Sequence, residues 1–175
     1  MLEVKIKPVR ENFKMPVKGS DHAACFDCYA SEIEVQPDGS VHVKLGFETE
    51  IPEGWRADLL PRSNITKYPW VLANSEGIID SDFRNEWQAR FRPVPYNQSI
   101  EFFDDVYVDS GKIEVTGNGS AIKVPLLFIN KFPYKVGDRV CQIRFERVNP
   151  VNFILSDETS ETERGLGGFG SSGVK

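Results

Sequence analysis

Short runs of alternating or uniformly apolar residues, separated by turn residues, follow one another along most of the chain. Such runs are typical of β-strands, and they predict strands at residues 3–6, 41–47, 57–60, 86–91, 112–115, 121–129 and 140–144. No long stretch has the period of a helix, and prolines such as Pro61 and Pro125 would interrupt most candidates. At most a short helical turn is expected after Ser63. We therefore predict an all-β fold, either a sandwich, a jelly roll or a small barrel.

Two segments differ from this pattern within the single domain that we predict for residues 1–175. Residues 94–124 contain aromatic and acidic residues, then two alternating stretches with a turn between them, which predicts a β-hairpin. Residues 156–175 are polar and then rich in glycine, and such a stretch cannot bury enough apolar surface to order itself. We predict a flexible C-terminal arm there that stays mobile until a ligand binds.

The formal net charge of −5 argues against a nucleic acid polymer as partner, because non-specific binding to nucleic acid needs a basic surplus. A small anionic ligand is compatible with this charge, since backbone N–H groups and a few arginines hold phosphates locally. The first residues lack the pattern of a signal peptide, and no apolar run is long enough to cross a membrane. The predicted location is the cytoplasm, or the host cytoplasm if the gene is viral.

The three cysteines are Cys25, Cys28 and Cys141, and the histidines are His22 and His42. Cys25 and Cys28 have the spacing of half a zinc site or of a redox pair, but no second cysteine pair accompanies them. We expect the cysteines to be buried, reduced thiols that pack as small apolar residues on a strand.

The C-terminal arm carries a glycine-rich stretch, residues 164–173, that is suited to binding an anion. Its glycines allow the backbone to approach a ligand closely and to direct several N–H groups at it. Arg164 adds positive charge, Ser171 and Ser172 add hydroxyl groups, and Phe169 adds a flat apolar face. A flexible linker is the alternative interpretation, as for most termini rich in glycine and serine.

Two further segments contain residues suited to phosphate or water chemistry. Arg62 and Ser63 lie together at the predicted end of a strand, where a guanidinium and a hydroxyl group suit phosphate oxygens. Residues 77–84 hold two carboxylates, Asp80 and Asp82, beside Phe83. A carboxylate here would orient water or hold a metal ion. Taken alone, the first segment is equally compatible with an ordinary loop and the second with an acidic hairpin turn.

The order of these segments resembles the five sequence motifs of the homotrimeric dUTP diphosphatases (dUTPases). Residues 24–30 are similar to the first motif, Ala-Gly-x-Asp-Leu-x-Ala, and residues 61–63 to the second, Pro-Arg-Ser. Residues 77–84 resemble the third, Gly-x-Ile-Asp-x-Asp-Tyr-Arg, and residues 137–142 the fourth, Gly-Asp-Arg-Ile-Ala-Gln. Residues 164–173 are similar to the fifth, Arg-Gly-x-Gly-Gly-Phe-Gly-Ser-Thr-Gly. Five motifs in the family's order are a far more specific signal than any one of them.

The resemblance implies a jelly-roll (β-clip) fold, a symmetric homotrimer and active sites between subunits, with the arm of one subunit closing over a site built by others. The implied reaction is attack of water on the α-phosphorus of dUTP, with Mg²⁺ spanning the triphosphate, to give dUMP and diphosphate. This reaction limits uracil incorporation into DNA and supplies dUMP for dTMP synthesis.

The resemblance also implies roles for individual residues. Asp80 would orient and deprotonate the attacking water, and Phe83, in place of the usual tyrosine, would pack on the deoxyribose and exclude a 2′-hydroxyl. Asn74 would read the uracil edge, and Asp27 would lie near the metal ion and contact it through water. The substrate-binding residues that the resemblance implies are Arg62, Ser63, Asn74, Gly77, Ile79, Phe83, Gln142, Arg164, Phe169, Gly170, Ser171 and Ser172.

The chain departs from the family pattern at several positions. Cys25 and Asn85 each replace a glycine, and residues 64–66 replace the small residues that normally follow Pro-Arg-Ser. Residues 94–124 form an insertion, similar to an extra segment in some phage-encoded members. We interpret it as an accessory hairpin. Its Phe102, Phe103 and Tyr107 suit a docking surface for a protein partner, and a structural elaboration at the trimer surface is equally compatible.

Two other functions are compatible with parts of the sequence. A dCTP deaminase shares the fold and parts of the second and third motifs, and it would need a glutamate beside the pyrimidine, for which Glu76 and Glu86 are candidates. A non-catalytic jelly-roll trimer with a structural or interaction role is the other alternative. The glycine-rich arm favours the dUTPase over the deaminase, and Asp80, Gln142 and Arg164 favour an enzyme over a structural protein.

Overall fold

Short β-strands make up nearly all of the regular secondary structure in a computed structural model that describes residues 1–94, 106–109, 112–115 and 131–167. A short 3₁₀ helix, Ser63–Lys67, lies where the sequence predicts a helical turn. The all-β prediction is confirmed. The strands of the described residues are β1 Lys5–Pro8, β2 Val17–Lys18, β3 Phe26–Tyr29, β4 Glu32–Val35, β5 Val41–Lys44, β6 Phe47–Glu50, β7 Trp55–Pro61, β8 Trp70–Leu72, β9 Gly77–Ile79, β10 Gln88–Pro93, β11 Val106–Asp109, β12 Lys112–Val115 and β13 Arg139–Arg147.

Two antiparallel sheets contribute to one hydrophobic core. One sheet has the strand order β2-β3-β13-β7-β9 and the other β4-β5-β10-β8, while β1 pairs with β6. Side chains alternate along the strands, so that in β5 Val41 and Val43 are buried and the residue after each is half-buried. Trp87 is fully buried and packs on Phe47 with 5.2 Å between ring centroids. This two-sheet arrangement fits the jelly roll that the family resemblance implies.

The predicted strand at residues 41–47 is not continuous, because it spans β5, the turn after it and the first residue of β6. Gly46 has a φ of 81°, and a Cβ atom there would lie 2.3 Å from Ser31 Oγ, so the turn requires glycine. The predictions at 3–6 and 86–91 are displaced by two residues from β1 and β10, and the prediction at 121–129 lies outside the described residues. Strands β2, β8 and β9 have only two or three residues, too few to show an alternation, and are not predicted. Strand β4 is also not predicted, although its four residues alternate.

Strands β11 and β12 lie within the segment 94–124 and pair antiparallel, with Val106 opposite Val115 and Asp109 opposite Lys112. Most of the segment, including Phe102 and Phe103, lies outside the described residues, as does the side chain of Tyr107. The extent of the insertion and its docking role therefore stay predictions.

The chain beyond β13 is described as far as Gly167 and is mostly exposed. Phe153, Ile154 and Leu155 are 93%, 82% and 99% exposed, so no other described residue covers this run of large apolar side chains. Because the arm predicted at 156–175 is described only in part, its mobility stays a prediction. Within the described ranges, no helix combines the length and the apolar character that a membrane crossing needs.

The cysteines are free thiols. Cys28 of β3 and Cys141 of β13 are opposite one another and fully buried, as predicted. A hydrogen bond with Cys141, together with burial, raises the pKa of Cys28. Cys25 differs from the prediction, because it is only half-buried and lies in a bend before β3.

An ion pair between Arg10 and Glu86 ties the N-terminal segment to the turn before β10. Arg10 Nη2 donates to Glu86 Oε2 at 2.8 Å, and the other carboxylate oxygen accepts the Gly46 N–H at 3.0 Å. The hydrogen bond from Arg10 lowers the pKa of Glu86. The Glu86 side chain is only 15% exposed, so solvent screens this contact weakly.

We expect Glu86→Gln to lower the free energy of unfolding by about 1–3 kcal/mol at pH 7, because it removes a charge-assisted hydrogen bond. Since the folded-state pKa of Glu86 is lowered, its stabilisation is present above the unfolded value of roughly 4.3 and is lost as the pH falls through the folded value. Urea unfolding of both proteins should therefore show a difference that shrinks below about pH 4.3. A difference that stays constant from pH 7 to pH 3 would contradict this assignment.

Candidate functional site

The first, second and fourth motifs meet because β3, β13 and β7 are neighbours in one sheet. Asp27 of β3 is opposite Gln142 of β13, and Cys141 is opposite Pro61 of β7. Pro61 ends β7, so Arg62 leaves the sheet next to Asp27. Three separate stretches of sequence thereby form one edge of the molecule.

Asp27 holds two arginines at this edge. Its Oδ1 accepts a hydrogen bond from Arg62 Nε at 2.8 Å, and its Oδ2 accepts one from Arg139 Nη1 at 3.1 Å. Arg62 Nη1 also donates to the main-chain oxygen of Arg139 at 3.1 Å. Asp27 is only 9% exposed, whereas the two arginine side chains are 28% and 43% exposed. Two guanidinium groups and one carboxylate leave a net positive charge towards solvent, which suits a phosphate.

Ser63 and Gln142 lie beside the Arg62–Asp27 ion pair, around the loop that follows β7. Ser63 is exposed and begins the 3₁₀ helix directly after Arg62. Gln142 Nε2 donates to the main-chain oxygen of Pro61 at 3.0 Å, which fixes the amide group beside the loop. A hydrogen bond with Tyr29, followed by the one with Asp27, raises the pKa of Arg139, so this guanidinium stays charged.

The turn between β8 and β9 positions Asn74 beside Gly77. The turn is tight, with the Glu76 N–H donating to the Asn74 main-chain oxygen at 2.6 Å and Ser75 at a φ of 62°. A Cβ atom on Gly77 would lie 3.3 Å from Asn74 Nδ2 and 3.4 Å from Leu59 Cβ. Glycine therefore leaves the space that the exposed Asn74 amide occupies.

Asp80 and Phe83 lie in the turn that follows β9. The Phe83 N–H donates to the Asp80 main-chain oxygen at 3.2 Å, which places the two side chains on one loop. Asp80 is exposed, Phe83 is 39% exposed, and Ile79 packs against the core and anchors the start of the turn. An exposed carboxylate and an apolar ring are thus presented together in the turn after β9, while Asn74 lies in the turn before β9.

These two groups of residues are far apart in one chain. Ile79 is opposite Ala57 in β7, so Asp80 lies near the start of β7, whereas Arg62 follows its end. The five residue steps from Ala57 to Arg62 span about 16 Å of extended chain. A chain of three phosphates is much shorter than this distance. The structure therefore brings the predicted residues together as two half-sites and not as one complete site.

The arm supplies a third, separate set of predicted residues. Arg164 is exposed, and its Nε donates to the main-chain oxygen of Gly167 at 2.9 Å, within a turn of the arm itself. Phe169, Gly170, Ser171 and Ser172 lie outside the described residues.

Arg139 is the residue of this site that the sequence interpretation missed. It lies in the fourth motif three residues before Gln142, but only the structure shows that it shares Asp27 with Arg62. Asp27 and Arg139 are far apart in sequence, and no local pattern predicts their contact. The position of Arg139 within the fourth motif is the one signal that the sequence contains.

Comparison with known proteins gives one consistent family. The dUTPase family model matches residues 11–92 and 114–173, which leaves out part of the segment 94–124. The chain is 33% identical over 176 residues to a deoxyuridine 5'-triphosphate nucleotidohydrolase of Yarrowia lipolytica, covering 99% of this chain and 90% of that protein. It is also 33% identical over 180 residues to the protein of that name from Desulfitobacterium hafniense, covering 99% and 97%.

Solved structures show the same fold. The Staphylococcus bacteriophage 80alpha dUTPase with dUPNHPP superposes with a TM-score of 0.73 at 19% identity, covering 98% of this chain and 99% of that one. The dUTPase from phage phi11 of S. aureus, described with a species-specific insert, gives a TM-score of 0.62 at 18% identity, covering 91% and 99%.

These relatives do not favour a dCTP deaminase, and each of the two glutamates proposed for that function lies beside an arginine. Glu86 pairs with Arg10, and Glu76 Oε1 lies 3.5 Å from Arg144 Nη2.

Proposed function

Because the chain belongs to the dUTPase family and hydrolyses dUTP to dUMP and diphosphate, we propose that Asp80 orients and deprotonates the attacking water. The observation that carries this proposal is the exposed position of Asp80 directly after β9, in one turn with Phe83 and separated from Asn74 by that short strand. A carboxylate is a weak base, so its placement within reach of the water contributes more than its basicity.

The two turns that flank β9 would select the base and the sugar. Asn74, beside the space left by Gly77 and the backbone of Ile79, would pair with the uracil edge. Cytosine reverses the donors and acceptors of that edge and would leave buried polar groups unpaired. The Phe83 ring would pack on the deoxyribose, where a 2′-hydroxyl would clash with it.

The edge formed by Arg62, Ser63 and Gln142 would bind the phosphates. Its net positive charge and its exposed hydroxyl support this role, because charge-assisted hydrogen bonds hold phosphate oxygens firmly. The arm, residues 156–175, would close over the bound nucleotide. In it Arg164, Gly170, Ser171 and Ser172 would contact the triphosphate and Phe169 would stack on the base.

Mg²⁺ fits this donor set as an ion carried by the substrate. In the described part of the chain no three His, Cys, Asp or Glu side chains are grouped as a metal site. Mg²⁺ keeps several waters and binds phosphate oxygens with few protein carboxylates. Asp27, which lies beside Arg62, would contact such an ion through water. The ion would neutralise charge on the phosphates.

We propose that the active enzyme is a homotrimer in the cytoplasm, with each site completed by more than one subunit. The separation of Asp80 from Arg62 supports this, since a second copy can bring the two half-sites together. Apolar surface supports it as well. Phe26, Phe47 and Phe145 line an open groove in the single chain, and the exposed apolar run 153–155 needs a cover of the same kind.

A panel of nucleotides tests the proposed selectivity. Purified protein with Mg²⁺ should release diphosphate from dUTP and leave dCTP, dTTP and UTP nearly untouched. Phe83→Ala should raise the rate with UTP relative to dUTP, because it removes the ring that excludes the 2′-hydroxyl. Ammonia release from dCTP, or equal hydrolysis of UTP by the unaltered protein, would contradict the proposal.

Mixed trimers test whether the sites lie between subunits. Asp80→Asn and Arg62→Ala trimers should each be nearly inactive. The two variants are then mixed in equal amounts, unfolded and refolded together. Random assembly should make about a quarter of the sites active, namely those that take an intact Asp80 from one subunit and an intact Arg62 from another. Each variant refolded alone is the control. No recovery in verified mixed trimers would place both residues in the site of one subunit.

A further inference from the structure

A hydrogen bond links the phosphate-binding loop to the core from the far side of the loop. The Tyr134 hydroxyl donates to Asn64 Oδ1 at 2.8 Å. Asn64 directly follows Ser63 in the 3₁₀ helix, and Tyr134 lies in the stretch that leads into β13. The two residues are 70 positions apart in sequence. Asn64 also stands where the family resemblance has a small residue, so the contact is a feature of this chain.

Tyr134 is a rigid donor. It is only 9% exposed and packs on Phe91 and Phe132, with ring centroids 6.1 Å and 5.5 Å away. Phe132 in turn packs edge-on against Trp70 at 5.1 Å. Burial raises the pKa of Tyr134, so the phenol keeps its proton at neutral pH and donates it to the amide oxygen.

Among the described residues, few side-chain contacts fix the first turn of the helix that carries Asn64, which a backbone bond from the Ile65 N–H to the Arg62 oxygen closes at 3.1 Å. Arg62 precedes the helix as the N-cap residue, but its side chain makes no capping hydrogen bond and extends instead to Asp27. Ile65 is buried and anchors the middle of the helix, and Thr66 Oγ1 donates back to the Ser63 main-chain oxygen at 2.7 Å. The bond from Tyr134 is thus the side-chain contact that fixes the residue next to Ser63.

We propose that Asn64 and Tyr134 are positioning residues that hold Arg62 and Ser63 in the geometry that binds the β- and γ-phosphates of dUTP. This inference rests on the proposed phosphate role of Arg62 and Ser63. Neither Asn64 nor Tyr134 touches the substrate. A loop that is already held in one conformation binds the phosphates without the entropy cost of ordering the loop. This gain in binding free energy is the same for the bound substrate and for the transition state, so its loss should raise KM and leave kcat nearly unchanged.

The test uses Tyr134→Phe, which removes one oxygen from a buried ring, and Asn64→Ala, which removes the acceptor. We expect each to raise the KM for dUTP about 3- to 10-fold with little change in kcat, the range for one hydrogen bond. The inhibition constant of inorganic diphosphate should rise by the same factor, and that of deoxyuridine, which has no phosphate, should not change. The double variant should match the single ones, because both remove the same bond.

Tyr68→Phe is the matched control. Tyr68 follows the same helix and is 42% exposed, and its hydroxyl bonds no residue in the part of the chain that the structure describes. This variant should leave both inhibition constants unchanged. All assays are run well below the melting temperature of each variant, so that a loss of folded protein does not enter the comparison.

Three outcomes would overturn the inference. In the first, the diphosphate constant stays unchanged in Tyr134→Phe and Asn64→Ala while Arg62→Ala raises it, which leaves the role of Arg62 intact. In the second, the inhibition constants of diphosphate and deoxyuridine rise by the same factor, which indicates general loosening of the fold. In the third, Arg62→Ala itself leaves diphosphate inhibition unchanged, and the proposed phosphate site then fails together with the inference.

Discussion

Asp80→Asn is expected to lower kcat for dUTP by about 10²- to 10⁴-fold, the range for losing a general base, and to leave KM nearly unchanged. The amide has the shape of the carboxylate but cannot accept a proton from water. Asp80 is exposed and lies after β9, so the substitution removes no packing contact from the core. Asn74 and Phe83 stay in place to bind the base and the sugar, and the substrate should still bind.

Asp82→Asn is the matched control for this experiment. Asp82 is an exposed carboxylate in the same turn, two residues farther along, and the proposed mechanism gives it no role in proton transfer. Single-turnover release of diphosphate from dUTP separates the chemical step from product release. Loss of the chemical step in Asp82→Asn, with Asp80→Asn still active, would move the base to the neighbouring carboxylate.

The sequence predicts the class of fold from local patterns, and the errors have physical causes. The alternation in β5 is visible because Val41 and Val43 face the core in every second position. The break after β5 is not visible, because it depends on Ser31, which is close to Gly46 in space and distant in sequence. A single glycine in an alternating run does not indicate whether a strand bends or ends there.

The residue types of the candidate site are predicted through the family resemblance, and the geometry of the site is not predicted. The motifs single out Asp27, Arg62 and Asp80, and the roles that the resemblance implies for them stay predictions. That Asp27 binds Arg62 and Arg139 depends on the order β3-β13-β7, which no local pattern contains. The separation of Asp80 from Arg62 likewise follows from the antiparallel pairing of β7 with β9.

Asp58 is a second feature that the sequence does not predict. Its side chain lies in the middle of β7 and is fully buried. Arg56 Nε donates to its Oδ1 at 2.9 Å and Arg144 Nε to its Oδ2 at 3.0 Å, and both arginine side chains are about 40% exposed. The two arginines thus cover the carboxylate and neutralise it. In sequence, Asp58 interrupts an apolar strand without any sign of what compensates its charge.

Replacing both Arg56 and Arg144 by methionine should lower the melting temperature by roughly 10 °C, because it leaves Asp58 covered and unpaired. Methionine keeps most of the apolar stem, so the carboxylate loses its partners without gaining water. Adding Asp58→Leu to the same protein should restore most of the loss, since an apolar group of similar volume has no charge to compensate. All proteins must be compared at one subunit concentration, because assembly contributes to the stability of an oligomer. Removing the exposed pair Lys5–Glu50 is the control and should change little.

The rescue by Asp58→Leu decides what the ionic cluster does. If stability returns, the arginines are needed only because the carboxylate is there, and the fold of β7 does not depend on the charge itself. If the triple variant stays unstable, the arginines stabilise the sheet independently of Asp58. Ile78 of β9 is opposite Asp58, and β9 leads directly into Asp80. A change in the packing around Asp58 should therefore also displace Asp80, the proposed base. The variant with both arginines replaced by methionine should have a lower kcat. The variant that also carries Asp58→Leu should regain both kcat and stability.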